Sequence, residues 1–115
     1  MVYTAETSAL AMLEQLVYLA RGGLPPPYQM LEIEVSDGCR ITSFEKRLPA
    51  TDVDPSRAWG EAWLESGQTS LARVPSAIAP EAYNVLINPA HPDAASVRIL
   101  RAARYPWDVR LFAKD

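Results

Sequence analysis

Residues 73–93, RVPSAIAPEAYNVLINPAHPD, restrict the fold more than any other stretch of this chain. The apolar run at 71–74 stops at Pro75, and Ser76 stands where the chain has to turn. Tyr83–Ile87 is a second run, rich in β-branched and aromatic residues, which ends in Asn88-Pro89-Ala90-His91-Pro92. Proline fixes φ and has no N–H for a ladder, so the stretch reads as strand, polar turn, strand, proline-locked loop. Ser76, Asn84, Asn88 and His91 thereby fall at strand ends or in the loops between. Such positions on a rigid scaffold are where chemistry is usually carried.

The N-terminal half supplies elements to pack on these strands. Met1-Val2-Tyr3-Thr4 reads as the end of a strand followed by a turn. Thr7 and Ser8 are candidate N-caps, Glu6 adds negative charge at a helix start, and Gly22-Gly23 closes the helix. Within it Leu10, Leu13, Leu16, Val17 and Ala20 recur at three-and-four spacing, with Met12 and Leu19 widening the stripe. So little polar surface remains that the helix is expected to be covered on more than one side. Glu14 interrupts that pattern. A carboxylate there belongs either to a narrow exposed strip or to the lip of a pocket, where low dielectric gives its charge weight.

Leu24-Pro25-Pro26-Pro27-Tyr28 is a short stiff connector. Residues 30–35 alternate, with Leu31, Ile33 and Val35 on one face and Glu32 and Glu34 on the other, as in a half-buried strand. Ser36-Asp37-Gly38 turns the chain, and 39–44 read as a shorter strand. A loop at 48–55 leads into a helix opened by Pro55 and Ser56 and ended by Gly67. Its Trp59 and Trp63, four apart, share a face that reads as core packing. Further strands are expected at 69–74, at 96–100 and, as a terminal strand, at 107–112. This order predicts one domain over 1–115, mixed α/β or α+β, of which α+β is the expectation carried forward: a mixed and partly antiparallel sheet with flanking helices.

Composition narrows the function. A chain of 115 residues suits one domain, and a net charge of −3 argues against a dedicated nucleic-acid binder. Arg98, Arg101, Arg104 and Arg110 cluster late but read as a solvated strand face. One cysteine, Cys39, and one histidine leave no disulfide framework and no ligand set for a structural zinc. No apolar run reaches the length of a membrane span, and the N-terminus lacks a secretory signal pattern. A cytoplasmic protein is expected. No Gly-rich phosphate loop or nucleophile elbow is present. A triad written from Ser76, His91 and a carboxylate lacks the strand-to-helix turn that activates a hydrolytic serine, so His91 reads as a loop residue bonding backbone.

Two segments carry a resemblance. VYTAETSALAMLEQLVYL is similar to the helix motif of the RES-domain family, and LARVPSAIAPEAYNVLINPAHPD is similar to its C-terminal signature. Trp63-Leu64-Glu65-Ser66-Gly67 also matches the family's approach to that signature, so the resemblance runs from Val2 to about Phe112. It implies an ADP-ribosyltransferase-like fold and a bacterial toxin that degrades NAD, by phosphorolysis or hydrolysis, or that uses NAD to ADP-ribosylate a protein. It further implies an Xre-type helix-turn-helix antitoxin as partner, with a homo-oligomer expected. Carried over by motif, the family's Glu falls on Glu14, its Ser on Ser76 and its tyrosine on Tyr3, with Asn84 as a supporting residue. These four would bind NAD, with Glu14 answering the positive charge that builds on the ribose, Tyr3 stacking on nicotinamide and Ser76 bonding the amide or a ribose hydroxyl. The family's Arg lies upstream of the tyrosine, whereas only Met1 and Val2 precede Tyr3 here; Arg21, Arg40 and Arg73 stand in no matching context. The expectation is therefore an N-terminally shortened member whose turnover is weak or lost, down to a non-catalytic interaction module, or a protein whose natural start lies further upstream.

Overall fold

A computed structural model describes residues 1–19, 27–44 and 54–112. Among these residues, six strands and two α-helices are arranged as an α+β fold: β1 (Val2–Ala5), α1 (Ser8–Leu19), β2 (Tyr28–Glu34), β3 (Ile41–Ser43), α2 (Asp54–Ser66), β4 (Leu71–Pro75), β5 (Tyr83–Ile87) and β6 (Arg98–Tyr105). The main sheet has the order β1-β5-β4-β3, antiparallel except where β3 pairs with β4 in parallel. β2 and β6 form a separate antiparallel pair. The expected mixed, partly antiparallel sheet with helices is what the chain builds.

The opening stretch folds as its punctuation dictates. β4 ends at Pro75, Ser76 begins the turn, and β5 returns beside β4 with Val74 opposite Asn84 and Ala72 opposite Leu86. Residues opposite each other share a face, as do alternate residues along a strand. Ala72, Val74, Asn84, Leu86 and Tyr3 therefore lie on one side of the sheet, since Tyr3 is opposite Leu86. α2 covers that side. Trp63 packs with Ala72 and Leu86, joined by Trp59, Leu64 and Val74, and Phe44 stacks on Trp59 at 4.9 Å. The two tryptophans thus share a core face, as their spacing predicts. Trp63 also donates from its indole to Thr69 Oγ1 at 2.9 Å, so its one polar atom is satisfied. Gly67, at φ 62°, ends α2 in the left-handed conformation that glycine adopts without strain.

α1 begins as read, with Thr7 as N-cap: its hydroxyl accepts from Leu10 N at 3.1 Å and its carbonyl from Ala11 N. Its covering differs from the expectation. Leu10 is buried and Leu16 half-buried, but Leu13 and Val17 remain 38% and 58% exposed. Among the described residues, β1 is the element α1 chiefly touches, so one side of its broad stripe is uncovered. The Gly22-Gly23 stop, most of the proline connector at 24–28 and most of the loop at 48–55 lie outside the described residues.

The C-terminal strands need two corrections. The strand expected at 96–100 starts later and runs longer, because Pro92–Ser96 forms a 3-10 turn instead. That turn is capped by His91, whose Nδ1 accepts from Asp93 N at 3.0 Å, and the ladder with β2 then continues to Tyr105. The strand expected at 107–112 does not form; Val109–Phe112 is a 3-10 turn. Pro106 interrupts the ladder, and Asp108 folds the chain locally by accepting from Arg110 N at 2.9 Å. Trp107 is buried against Tyr28 and meets Phe112 edge-on. β2 starts at Tyr28, and its alternation survives only in part: Ile33 is half-buried, but Leu31 is 44% exposed. No described helix is long and apolar enough to cross a membrane.

Candidate active site

Ser76 follows Val74 by two residues, on the α2 side of the sheet, and is 3% exposed. Its hydroxyl accepts from Ile78 N and Ala79 N, both at 3.1 Å, while its own amide donates to Ala82 O. Two N–H groups occupy the oxygen's lone pairs, so its single proton is left for an acceptor. That acceptor is Glu14 Oε1, at 2.8 Å. The two residues are 62 positions apart in sequence, and the bond joins the second turn of α1 to the end of β4. Glu14 is half-buried, so one edge of its carboxylate is oriented by protein while the group keeps access to solvent.

Tyr3 and Asn84 form the second pair. The Tyr3 hydroxyl donates to Asn84 Oδ1 at 2.9 Å, and Asn84 Nδ2 donates to the Thr4 carbonyl at 3.2 Å. Asn84 is completely buried, whereas Tyr3 is 59% exposed. The register puts both on the face that carries Ser76, so all four candidate residues sit on one side of one sheet. Of the four, Tyr3 is exposed, Glu14 half-buried and the other two buried. An apolar groove among the described residues lies elsewhere, lined by Val2, Ile87, Leu31, Ile33, Ile99 and His91 among others. Val2 alternates to the side opposite Tyr3, and that groove holds no carboxylate.

His91 takes no part in a triad with Ser76: it bonds its own loop, and the Ser76 proton is already given to Glu14. Asn88, also buried, bonds Ala90 N and the Leu64 carbonyl, tying the proline loop to α2. Arg73 lies on the other side of β4 from Val74. Its guanidinium stacks on the Tyr83 ring at 3.6 Å and faces Glu6 Oε2 at 3.8 Å. Arg40 is exposed, and Arg21 lies outside the described residues.

Glu6 is the residue that sequence reasoning misjudged. Read as charge for the helix start, it instead extends the β1–β5 ladder, exchanging bonds with Tyr83 through its amide and through Oε1 at 3.1 Å. It therefore fixes where α1 departs from the sheet, two turns before Glu14. Nothing local marks that role, because its partners are far along the chain. The backbone donors of Ile78 and Ala79 were equally invisible; only Ser76 beside Pro75 signalled a tight turn.

A mixed sheet that carries a serine-held carboxylate and an exposed tyrosine bonded to a buried asparagine defines a class, and similarity to known proteins assigns it. Residues 1–108 match the RES domain model, and the chain belongs to the RES domain family. It is similar to the "Prs ADP-ribosylating toxin" of Sphingobium sp. (strain YBL2), with 40% identity covering 98% of this chain and 75% of that protein. It is similar to "Toxin Res" of Pseudomonas putida (strain KT2440), with 35% identity covering 96% of this chain and 79% of the relative. A further "Toxin Res," from Yersinia enterocolitica, is 32% identical over 78% of this chain and 62% of its own length.

Proposed function

We propose that this chain is a bacterial RES toxin that consumes NAD by breaking the nicotinamide–ribose bond. The observation that carries the reading is the 2.8 Å bond from Ser76 to Glu14, which orients a half-buried carboxylate. As nicotinamide leaves with the bonding electron pair, positive charge builds on the ribose ring. A preoriented carboxylate stabilises that charge without reorganising at the moment of reaction. Glu14 has this role. Ser76 holds it, which replaces the expected serine contact to the nicotinamide amide or ribose, since the hydroxyl has no proton to spare. Tyr3 offers its ring to nicotinamide and keeps the leaving group in line. Water then attacks the anomeric carbon and loses a proton, giving ADP-ribose; phosphate in its place gives ADP-ribose 1-phosphate.

The test is nicotinamide release from NAD by the purified chain, with and without phosphate. Release that Glu14→Gln abolishes supports the reading, and a phosphate dependence selects phosphorolysis. No release under either condition, from a folded chain, overturns it in favour of a non-catalytic interaction module.

A second reading is favoured by the name of the Sphingobium relative, an ADP-ribosylating toxin. Here a protein nucleophile replaces water, and the same residues serve. Transfer of labelled ADP-ribose to a protein of the host, absent in Glu14→Gln, would select it. The family resemblance further supports an Xre-type helix-turn-helix antitoxin as partner, or a second copy of the chain, and action in the cytoplasm. The uncovered Leu13 and Val17 of α1 and the outer edge of β1 are surfaces such partners would use. Light scattering of a concentrated sample that shows only monomer, together with no complex on co-expression, would overturn the partner assignment.

A further inference from the structure

We infer that Glu6 is a positioning residue for turnover: acting through the peptide group that joins Ala82 to Tyr83, it sets the spacing between Glu14 and Ser76. This rests on the NAD reading above, and deepens it. Glu6 Oε1 accepts from Tyr83 N at 3.1 Å, while Ser76 N donates to Ala82 O at 2.9 Å. The Tyr83 N–H and the Ala82 C=O are the two ends of one peptide group. The root of α1 and the turn at Ser76 are therefore tied to the same planar unit.

That unit is a rigid crossbar. In a trans peptide the N–H and the C=O point to opposite sides. β5 lies between β1 and β4, so one side of the crossbar faces the end of β1 and the other the end of β4. From Glu6 the chain passes into α1 and reaches Glu14 two turns later, where Oε1 accepts the Ser76 proton at 2.8 Å. Contacts and chain thus close a ring that runs from Glu6 to Glu14, to Ser76, to the crossbar and back to Glu6. The carboxylate of Glu14 is placed from both ends of that ring.

The ring needs a side chain at this corner. In a regular antiparallel ladder Tyr83 N would donate to the backbone carbonyl of the residue opposite, which is Glu6. β1 ends at Ala5, however, and the chain turns away toward Thr7, the N-cap of α1. The Glu6 carboxylate reaches back and takes the place of that carbonyl. Arg73 Nη2 faces its second oxygen, Oε2, at 3.8 Å, and the guanidinium lies over the Tyr83 ring at 3.6 Å. Both side chains are partly exposed, so this ion pair contributes little stability. Its effect is to hold Oε2 and leave Oε1 for the amide.

The experiment uses the whole chain with Glu6→Ala, Glu6→Gln, Ser76→Ala and the double variant Glu6→Ala/Ser76→Ala, and follows nicotinamide release from NAD. Glu6→Ala should lower kcat about tenfold and leave KM within about twofold, because a displaced carboxylate is missed mainly in the transition state. Glu6→Gln should recover kcat to within about threefold of wild type, since its amide oxygen accepts the same bond. The double variant should be no slower than Ser76→Ala alone, because both changes release one carboxylate. An unchanged kcat in Glu6→Ala, a loss confined to KM, no rescue by Glu6→Gln, or losses that multiply would overturn the inference. If Glu6→Ala does not fold, Glu6→Asp carries the test. Its carboxylate falls a methylene short of the Tyr83 amide and should be equally slow; an unchanged kcat overturns the inference.

A readout without NAD separates this failure from that of the functional reading. Denaturant midpoints of the wild type, Ser76→Ala, Glu14→Ala and the two combined give the coupling between Ser76 and Glu14. Repeated in Glu6→Ala chains, or in Glu6→Asp where that is the variant that folds, the same cycle should show the coupling reduced by about half or more. A wild-type chain that releases no nicotinamide defeats the functional reading while this cycle still stands. A coupling as large without the Glu6 contact as with it defeats the inference.

Discussion

The four-stranded sheet and the β2–β6 pair are built from similar strands but hold their side chains in opposite ways. In the first, Leu71, Ala72, Leu86 and Ile87 are buried, and so are the polar Ser76, Asn84 and Asn88, each with hydrogen-bond partners. In the second, no strand residue is fully buried. Arg98 pairs with Glu34 at 3.1 Å, and Leu31, Ile99 and Leu100 stay exposed. Its order comes from the backbone ladder and from Tyr28, Tyr105 and Trp107 gathered at one end. A side chain packed on all sides can present a neighbour's oxygen in one place, whereas a two-stranded ribbon is marginal by itself. The candidate site sits on the sheet that is able to hold it.

The sharpest way to break this contrast is to remove an apolar side chain from each region. Trp63→Ala should lower stability by about 3–5 kcal/mol, because the lost indole leaves a cavity against Ala72 and Leu86. Ile99→Ala, at a position 62% exposed, should change it by no more than about 0.5 kcal/mol. Denaturant midpoints check both. Equal losses would mean that the β2–β6 pair is as much a part of the core as the main sheet.

Within the main sheet, the proposed roles predict two graded effects on turnover. Glu14→Gln keeps the shape and a partner for Ser76 but removes the charge, and should cost about 10²–10³-fold in kcat with the melting temperature held. Ser76→Ala keeps the charge but frees it to move, and should cost about ten- to a hundredfold. It should also lower stability by roughly 1–3 kcal/mol, since Ile78 N and Ala79 N lose their acceptor. If Ser76→Ala proved as inactive as Glu14→Gln while equally stable, the serine would be acting on the substrate directly.

The regions also differ in how far they could be read from sequence. Pro75, the run Tyr83–Ile87 and the pair Trp59 and Trp63 are local signals, and each settled as its local chemistry implies. Glu14, Ser76, Tyr3 and Asn84 were nominated by motif, but their pairing was not legible: a hydrogen bond across 62 positions depends on how α1 leaves the sheet. That departure is set by Glu6 against Tyr83, again a long-range fact. Reading failed most at 107–112, where alternating apolar residues resemble a strand. Pro106 and the Asp108 side chain, which competes for the backbone, decide for a turn. The apolar stripe of α1 promised more burial than Leu13 and Val17 receive. A stripe records that a face is apolar, and the described residues leave part of it open.

The smallest expected effect concerns that same turn and asks whether the two regions are independent. Asp108 accepts from the Arg110 guanidinium at 2.7 and 3.0 Å and from Arg110 N at 2.9 Å. These bonds, the side-chain ones first, favour the carboxylate and lower its pKa from the ordinary 3.8 to about 2. A carboxyl whose folded pKa is depressed contributes stability above the unfolded value of 3.8, and that contribution is lost as pH falls through about 2. The pair is exposed, at 46% and 87%, so solvent and salt screen it and no global change is expected above pH 4. An NMR titration should place the Asp108 midpoint near 2, and Arg110→Ala should move it up toward 3.8. In that variant the Trp107 and Phe112 resonances, which belong to the turn, should shift, and those of Tyr3 and Asn84 should not. A change at Tyr3 would show that the two-stranded end feeds into the candidate site, and the division between the regions would fall.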